Sequence, residues 1–144
     1  MRRALATIAG FLASLLLAST AGACGHCIED RMAAVYDHAV MTRAAATGHK
    51  VAFYAVLGAA PTDDAPSHAI RRAVEAVHGV DKNTVRYSGD LAALSLSFDP
   101  RAARWGDVDR GIAKALAPRG LTLGLINIVD RPEQISAGRV TAAA

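Results

Sequence analysis

Two helical stripes interleaved with strand-like runs give residues 50–129 an order that few folds accept. Val51 to Leu57, VAFYAVL, is an unbroken apolar run of strand length ended by Gly58. After the loop Gly58 to Ser67, which holds Pro61, Asp63, Asp64 and Pro66, the spacing predicts a helix from about Ser67 to His78. It turns Ile70, Ala73, Val74 and Val77 inward and has Gly79 as its cap. Thr84 to Tyr87 and Leu91 to Phe98 read as two strands joined by the turn Ser88-Gly89-Asp90. In the second of them Leu94, Leu96 and Phe98 alternate with Ser95 and Ser97, the pattern of one buried face and one wet face. Asp107 is placed to cap a further helix carrying Val108, Ile112, Ala115 and Leu116, stopped by Pro118 and Gly120; Leu121 to Val129 is the last strand.

The resulting order is β, α, β, β, α, β. One short chain satisfies it as a ferredoxin-like sandwich of class α+β, four antiparallel strands covered by two helices on one side. Length agrees, because 144 residues give one domain and leave little room for two full cores. With 52% hydrophobic and 20% charged residues the chain buries a core instead of staying disordered.

The N-terminal segment reads as an address. Arg2-Arg3, an apolar centre from Leu5 to Ala18 and the small residues Ala21-Gly22-Ala23 form a secretory signal, residues 1–23, with cleavage after Ala23. An uncleaved membrane anchor is the alternative, since Ala4 to Ala23 is long enough to span a bilayer. Lipidation of Cys24 is a third, although Ala21 stands where lipoprotein signals usually have Leu. The processed chain is periplasmic or secreted, in a compartment that oxidises thiols. Without Arg2 and Arg3 the 16 basic and 13 acidic residues come close to balance, and three Phe, three Tyr and one Trp supply few stacking platforms. Nothing here favours nucleic acid as a partner.

After Cys27 the positions Ile28, Met32, Val35, Ala39, Thr42 and Ala46 recur at spacings of 4, 3, 4, 3 and 4. That is one stripe, and it predicts one helix ended by Gly48, with Asp37, His38 and Arg43 off the stripe. Residues 24–49 are thus a motif and an N-terminal helix, 50–130 the ferredoxin-like unit, and 131–144 a C-terminal tail.

Within the unit, Val77 to Pro100 (VHGVDKNTVRYSGDLAALSLSFDP) resembles the stretch of heavy-metal-associated domains from the end of their first helix through the hairpin. Gly79-Val80, Val85 and Phe98-Asp99-Pro100 carry the likeness, and Trp105 to Leu116 falls where that family has its second helix. The resemblance spans about 80 residues, Lys50 to Val129, and implies the ferredoxin-like fold and an ancestry in metal handling. It does not carry over a ligand. The family's metal site is a Gly-Met-x-Cys-x-x-Cys loop between the first strand and first helix, and here Gly58 to Ser67 has neither Cys nor Met.

The two cysteines of the chain stand elsewhere, in Cys24-Gly25-His26-Cys27. Two intervening residues let both sulfurs converge at the opening of a helix, where they can share one soft metal ion or close a small disulfide. Cys27 at the positive end of the helix, and protonated His26, favour thiolate; Glu29 and Asp30 oppose it. Two thiolates suffice for near-linear Cu(I) or Hg(II), whereas Zn(II) needs four ligands and His26 gives at best a third. The same four residues resemble the active-site motif of protein disulfide isomerases, but no strand feeds the motif and Pro61 is the one faint candidate for the facing proline.

Weaker candidates surround this motif. His38 lies 11 residues past Cys27, about 16 Å along a continuous helix at roughly 1.5 Å per residue, out of reach of the same ion. His49, His68 and His78 stand near element ends and read as surface or capping residues. Met32 and Met41 read as core residues with a secondary capacity for Cu(I), and Asp63-Asp64 as a solvated turn. No Ser/His/Asp ordering, phosphate loop or HExxH motif supports a hydrolase or nucleotide enzyme.

The reading that joins these features is an exported, copper-binding or copper-transferring protein with Cys24, His26 and Cys27 as ligands and a metal-donor or metal-acceptor protein as partner. The rivals are a thiol-disulfide oxidoreductase using the same pair, and a non-catalytic module that docks another protein through the Gly58 to Ser67 loop.

Overall fold

The computed structural model describes residues 27–133. Two short helices come first, α1 (Ile28–Ala34) and α2 (His38–Thr47). They are followed by β1 (Lys50–Leu57), α3 (Asp64–Glu75), β2 (Arg86–Ser88), β3 (Ala93–Phe98), α4 (Trp105–Leu116), a 3-10 turn (Ala117–Arg119) and β4 (Thr122–Val129). The sheet order is β2-β3-β1-β4 with every pairing antiparallel. With α3 following β1 and α4 following β3, this is the ferredoxin-like arrangement that the alternation and the family resemblance imply.

The apolar run of β1 is explained by its central place, with Val51, Ala52, Phe53 and Tyr54 all buried between the two faces of the sheet. On one face Ala52, Tyr54 and Val56 join Leu94, Leu96 and Phe98 against Ile70 and Val74 of α3 and Val108, Ile112 and Leu116 of α4. Trp105 closes the end of this core, its ring 5.9 Å from Tyr54 and 5.0 Å from Phe98 between centroids. The Tyr54 hydroxyl, buried with its ring, donates to Asp109 Oδ1 at 3.2 Å. Burial first, then the Asp109 carboxylate, push this phenol far above its usual value, so it remains a neutral donor.

The other face departs from expectation. Every residue of β3 is buried, Ser95 and Ser97 included, so the alternation does not mark a wet face. The cover is α1 and α2: Met32, Val35, Val40, Met41 and Ala44 pack on Val51, Phe53, Ala93 and Val129 in a second apolar cluster. The sheet is sandwiched on both sides, and the expectation of helices on one side alone is corrected. Ser95 Oγ is satisfied by donating to Val35 O at 2.6 Å. Burial of a side chain such as Val35, Val40 or Met41 contributes roughly 1.5–3 kcal/mol, so apolar contact holds this layer and the polar ties orient it.

The single N-terminal helix is also corrected to two. The stripe runs on in sequence, but Val35 is buried at a break and Asp37 caps a new helix, its Oδ1 accepting from Ala39 N (2.9 Å) and Val40 N (3.1 Å). Gly48, at φ 74°, ends α2 as predicted. The first core helix begins at Asp64 and ends at Glu75, three residues earlier at each end than the spacing implies. Pro66 is accommodated because the first turn has no amide to lose to an intrahelical bond. Arg104, not Asp107, precedes α4; Asp107 lies in its first turn, 3.3 Å from Arg110. The hairpin strands are shorter than expected, starting at Arg86 and Ala93. Gly79 has φ 90°, and a Cβ there would lie 2.5 Å from the Ala103 Cβ, so the turn after α3 needs glycine twice over.

Pairing of β1 with β4 slips at Phe53/Tyr54, where a bulge leaves Ile126 of β4 without an opposite residue. Just beyond it, the Asn127 side chain accepts from the neighbouring Ile128 amide at 2.8 Å.

Candidate functional site

Of the three residues proposed as ligands, Cys27 lies within the described residues, and Cys24 and His26 lie outside them. The structure therefore gives the setting of one sulfur and not the geometry of the pair. Cys27 is exposed and forms no disulfide among the described residues. It is the residue before α1, with φ −53° and ψ 152°, and its carbonyl accepts the Arg31 amide at 3.2 Å to close the first turn. Its side chain makes no capping bond. Glu29 and Asp30 fill the first turn and Arg31 the last, while Met32 anchors the helix in the outer apolar cluster. The sulfur thus stands on a short helix fixed to the sheet by its buried side.

Across the break after α1, both ring nitrogens of His38 take partners other than the cysteine. A seven-residue helix covers about 10 Å at roughly 1.5 Å per residue, and His38 begins the next helix beyond its far end. His38 Nδ1 meets the Tyr36 hydroxyl at 3.2 Å, and Nε2 meets Thr42 Oγ1 at 3.4 Å. Met32 and Met41 are both buried in the outer cluster, as core residues. His68 lies 3.0 Å from Arg71 and His78 3.2 Å from the Ala102 carbonyl, both at the surface. Among the described residues no three His, Cys, Asp or Glu side chains gather as a metal group. No helix among them is long and apolar enough to cross a membrane.

The loop after β1, where the family resemblance would place metal ligands, has a different character. Tyr87 donates its hydroxyl to Pro61 O at 2.9 Å, and the Gly89 backbone lies so close to that same carbonyl that a side chain would collide with it. The loop is thereby tied to the β2–β3 turn. Beside it, Ala59, Pro61, Pro66, Ile70 and Leu121 line a mostly apolar cleft of about 380 Å³ with Arg119 among its walls. Asp63 and Asp64 open α3, and Ser67 Oγ donates to Asp63 O at 2.6 Å.

A polar centre that sequence reasoning missed surrounds His49. Its Nδ1 lies 2.7 Å from Asp81 Oδ2 and its Nε2 3.7 Å from Asp99 Oδ2. Ser97 Oγ donates to the same Asp81 oxygen at 2.6 Å, and Arg101 Nε lies 3.2 Å from Asp99 Oδ1. The Arg101 amide, followed by its guanidinium and by His49, holds the Asp99 carboxyl below its usual value. Three segments distant in sequence meet here, and the one legible trace was the pair of serines on a strand that proves to be buried.

No protein-family model matches the chain, and no curated protein matches it. Two solved structures are similar to it. A copper binding domain from HMA7, a P-type ATPase, is 22% identical, over 55% of this chain and 96% of its own, with a TM-score of 0.43. Oxidised MerP from Ralstonia metallidurans CH34 is 20% identical, over 55% of this chain and 99% of its own, with a TM-score of 0.43.

Proposed function

We propose that the chain is an exported protein that binds a soft metal ion, copper(I), through the sulfurs of Cys24 and Cys27 with His26 beside them, and passes it to a partner protein. The observation that carries this reading is the exposed thiol of Cys27 at the head of a helix pinned to the sheet. A two-residue spacing to Cys24 supplies the second sulfur that near-linear Cu(I) requires. Transfer proceeds by ligand exchange. A thiolate of the partner attacks the two-coordinate ion, a three-coordinate bridge forms, and one of the two original cysteines leaves. Hg(II) satisfies the same donor set, and Zn(II) would need ligands from a partner. The ferredoxin-like unit supports the reading as the fold that the resemblance to heavy-metal-associated domains implies, with the metal motif moved from the β1–α3 loop to the N-terminal segment.

The test is a Cu(I) titration of the reduced protein, recovered from an exporting host, against a competing chromogenic chelator. One equivalent bound, and lost in Cys24→Ser and in Cys27→Ser, is the expected result. Binding no greater than that of the double variant rejects the reading. Catalysed reduction or isomerisation of a disulfide substrate by the same preparation would favour the thiol-exchange alternative. Mass spectrometry of the N-terminus shows whether Cys24 is free, because a lipid on that sulfur removes half the site.

A further inference from the structure

Between the end of α2, the loop entering β2 and the outer face of β3 lies a cleft of about 260 Å³. Its hydroxyls have already spent their protons. Thr47 Oγ1 donates to Arg43 O at 2.9 Å and Ala44 O at 3.2 Å, Thr84 Oγ1 to Asp81 O at 2.7 Å, and Ser97 Oγ to Asp81 Oδ2 at 2.6 Å. His49 engages that same oxygen through Nδ1 and turns Nε2 towards Asp99. The charged donors that line the cleft and stay open to a guest are Arg43 and Lys82, whose exposed side chains make no hydrogen bond or ion pair with a described residue. The principal open acceptor is Asp81 Oδ1, to which no described group donates.

We propose that this cleft binds inorganic phosphate in its hydrogen-bearing form. Two cations call for an oxyanion, and Arg and Lys are the usual partners for one. A carboxylate on the same wall repels an oxyanion that has no hydrogen, such as sulfate. Inorganic phosphate at neutral pH retains one P–OH: its charge meets Arg43 and Lys82 while its hydrogen is donated to Asp81. The remaining hydroxyl lone pairs are neutral acceptors, weaker than the Asp81 carboxylate for that hydrogen. A phosphate monoester, whose second proton leaves at a pKa of about 6, has no such hydrogen above that pH and is disfavoured like sulfate. The apolar cleft beside Pro61, with Arg119 as its one cation, lacks this pairing of two cations with an acceptor.

The test is a titration of the isotope-labelled protein at pH 7.5 and constant ionic strength, following the Thr84 and Ser97 amides by NMR, with sodium phosphate, sodium sulfate and glycerol phosphate in parallel. Phosphate is expected to saturate, with sulfate and glycerol phosphate each weaker by about tenfold or more. Replacing both rim cations, Arg43→Gln with Lys82→Gln, is expected to weaken phosphate by about tenfold or more while Trp105 fluorescence is unchanged. In Asp81→Asn the preference for phosphate over sulfate is expected to shrink to within about twofold. A phosphate response that does not saturate, equal affinities for the three anions, or a rim variant that binds as well as the native chain overturns the proposal. Should Asp81→Asn lose its folded fluorescence, the native selectivity and the rim variant decide it.

Discussion

The Arg86 guanidinium grips Asp37 Oδ2, Nη2 at 2.7 Å and Nε at 2.9 Å, while the other oxygen of that carboxylate caps α2. One side chain thereby starts a helix and fastens it to the sheet edge at β2. Asp37→Ala removes both functions. The lost cap costs about 1 kcal/mol, and the partly exposed ion pair adds at most about 1 kcal/mol. Urea midpoints followed by Trp105 fluorescence should show this loss. Arg86→Met, which spares the cap, should lose less.

Acid should loosen the same contact. The Val40 amide first, and then Arg86, hold the Asp37 carboxyl below its usual value, and Asp99 is lowered by Arg101 and His49. For a carboxyl whose folded pKa is depressed, the unfolded chain binds more protons between the two values. The stabilisation is therefore complete above the unfolded value of about 3.9 and is lost as pH falls through the lower folded one. Urea midpoints should be level from pH 7 to about 5 and fall below about pH 4. Asp37→Asn should flatten part of that fall, and an unchanged slope would remove Asp37 from the account.

Ser95 separates the observed fold from the one its alternating pattern implies. On a wet face, Ser95→Ala would be close to neutral. Beneath α1, it strips the Val35 carbonyl of its 2.6 Å donor and should cost about 1–3 kcal/mol. A change in urea midpoint below a few tenths of a kcal/mol would mean that the N-terminal helices do not cover this strand in solution.

Gly79→Ala should be among the more damaging single-atom additions. It places a methyl against Ala103 and imposes a left-handed backbone on a residue with a Cβ. A loss of more than about 1 kcal/mol in urea or heat is expected. Gly48→Ala is the control for the backbone effect alone, because nothing lies within 4 Å of a Cβ there.

What the sequence disclosed and what it withheld have a common cause. Periodicity reports which residues are buried within an element, and it placed β1, β4 and the inward faces of α3 and α4 well, because their partners lie in the same ferredoxin-like unit. It could not report what meets Ser95 and Ser97, since their acceptors, the Val35 carbonyl and the Asp81 carboxylate, lie 60 and 16 residues upstream and small hydroxyl residues suit water and a buried acceptor equally. The break at Asp37 was hidden for a similar reason. An N-cap aspartate and an aspartate on the outer side of a continuous helix leave the same trace, and Val35 and Ala39 keep helical spacing across the gap. The Cys-Gly-His-Cys motif was legible as chemistry, whereas the His49, Asp81 and Asp99 cluster, joined only by folding, carried no spacing to read.

The irregular seam between β1 and β4 also shapes what the outer edge of the sheet offers to another strand. An outer strand such as Thr122–Val129, eight uncharged residues without proline, is the kind of template on which fibrils grow. Here the displaced Ile126 disturbs the ladder midway, and Asn127 keeps the next amide for itself. An incoming strand would find a short, interrupted foothold on a rim that carries no charge.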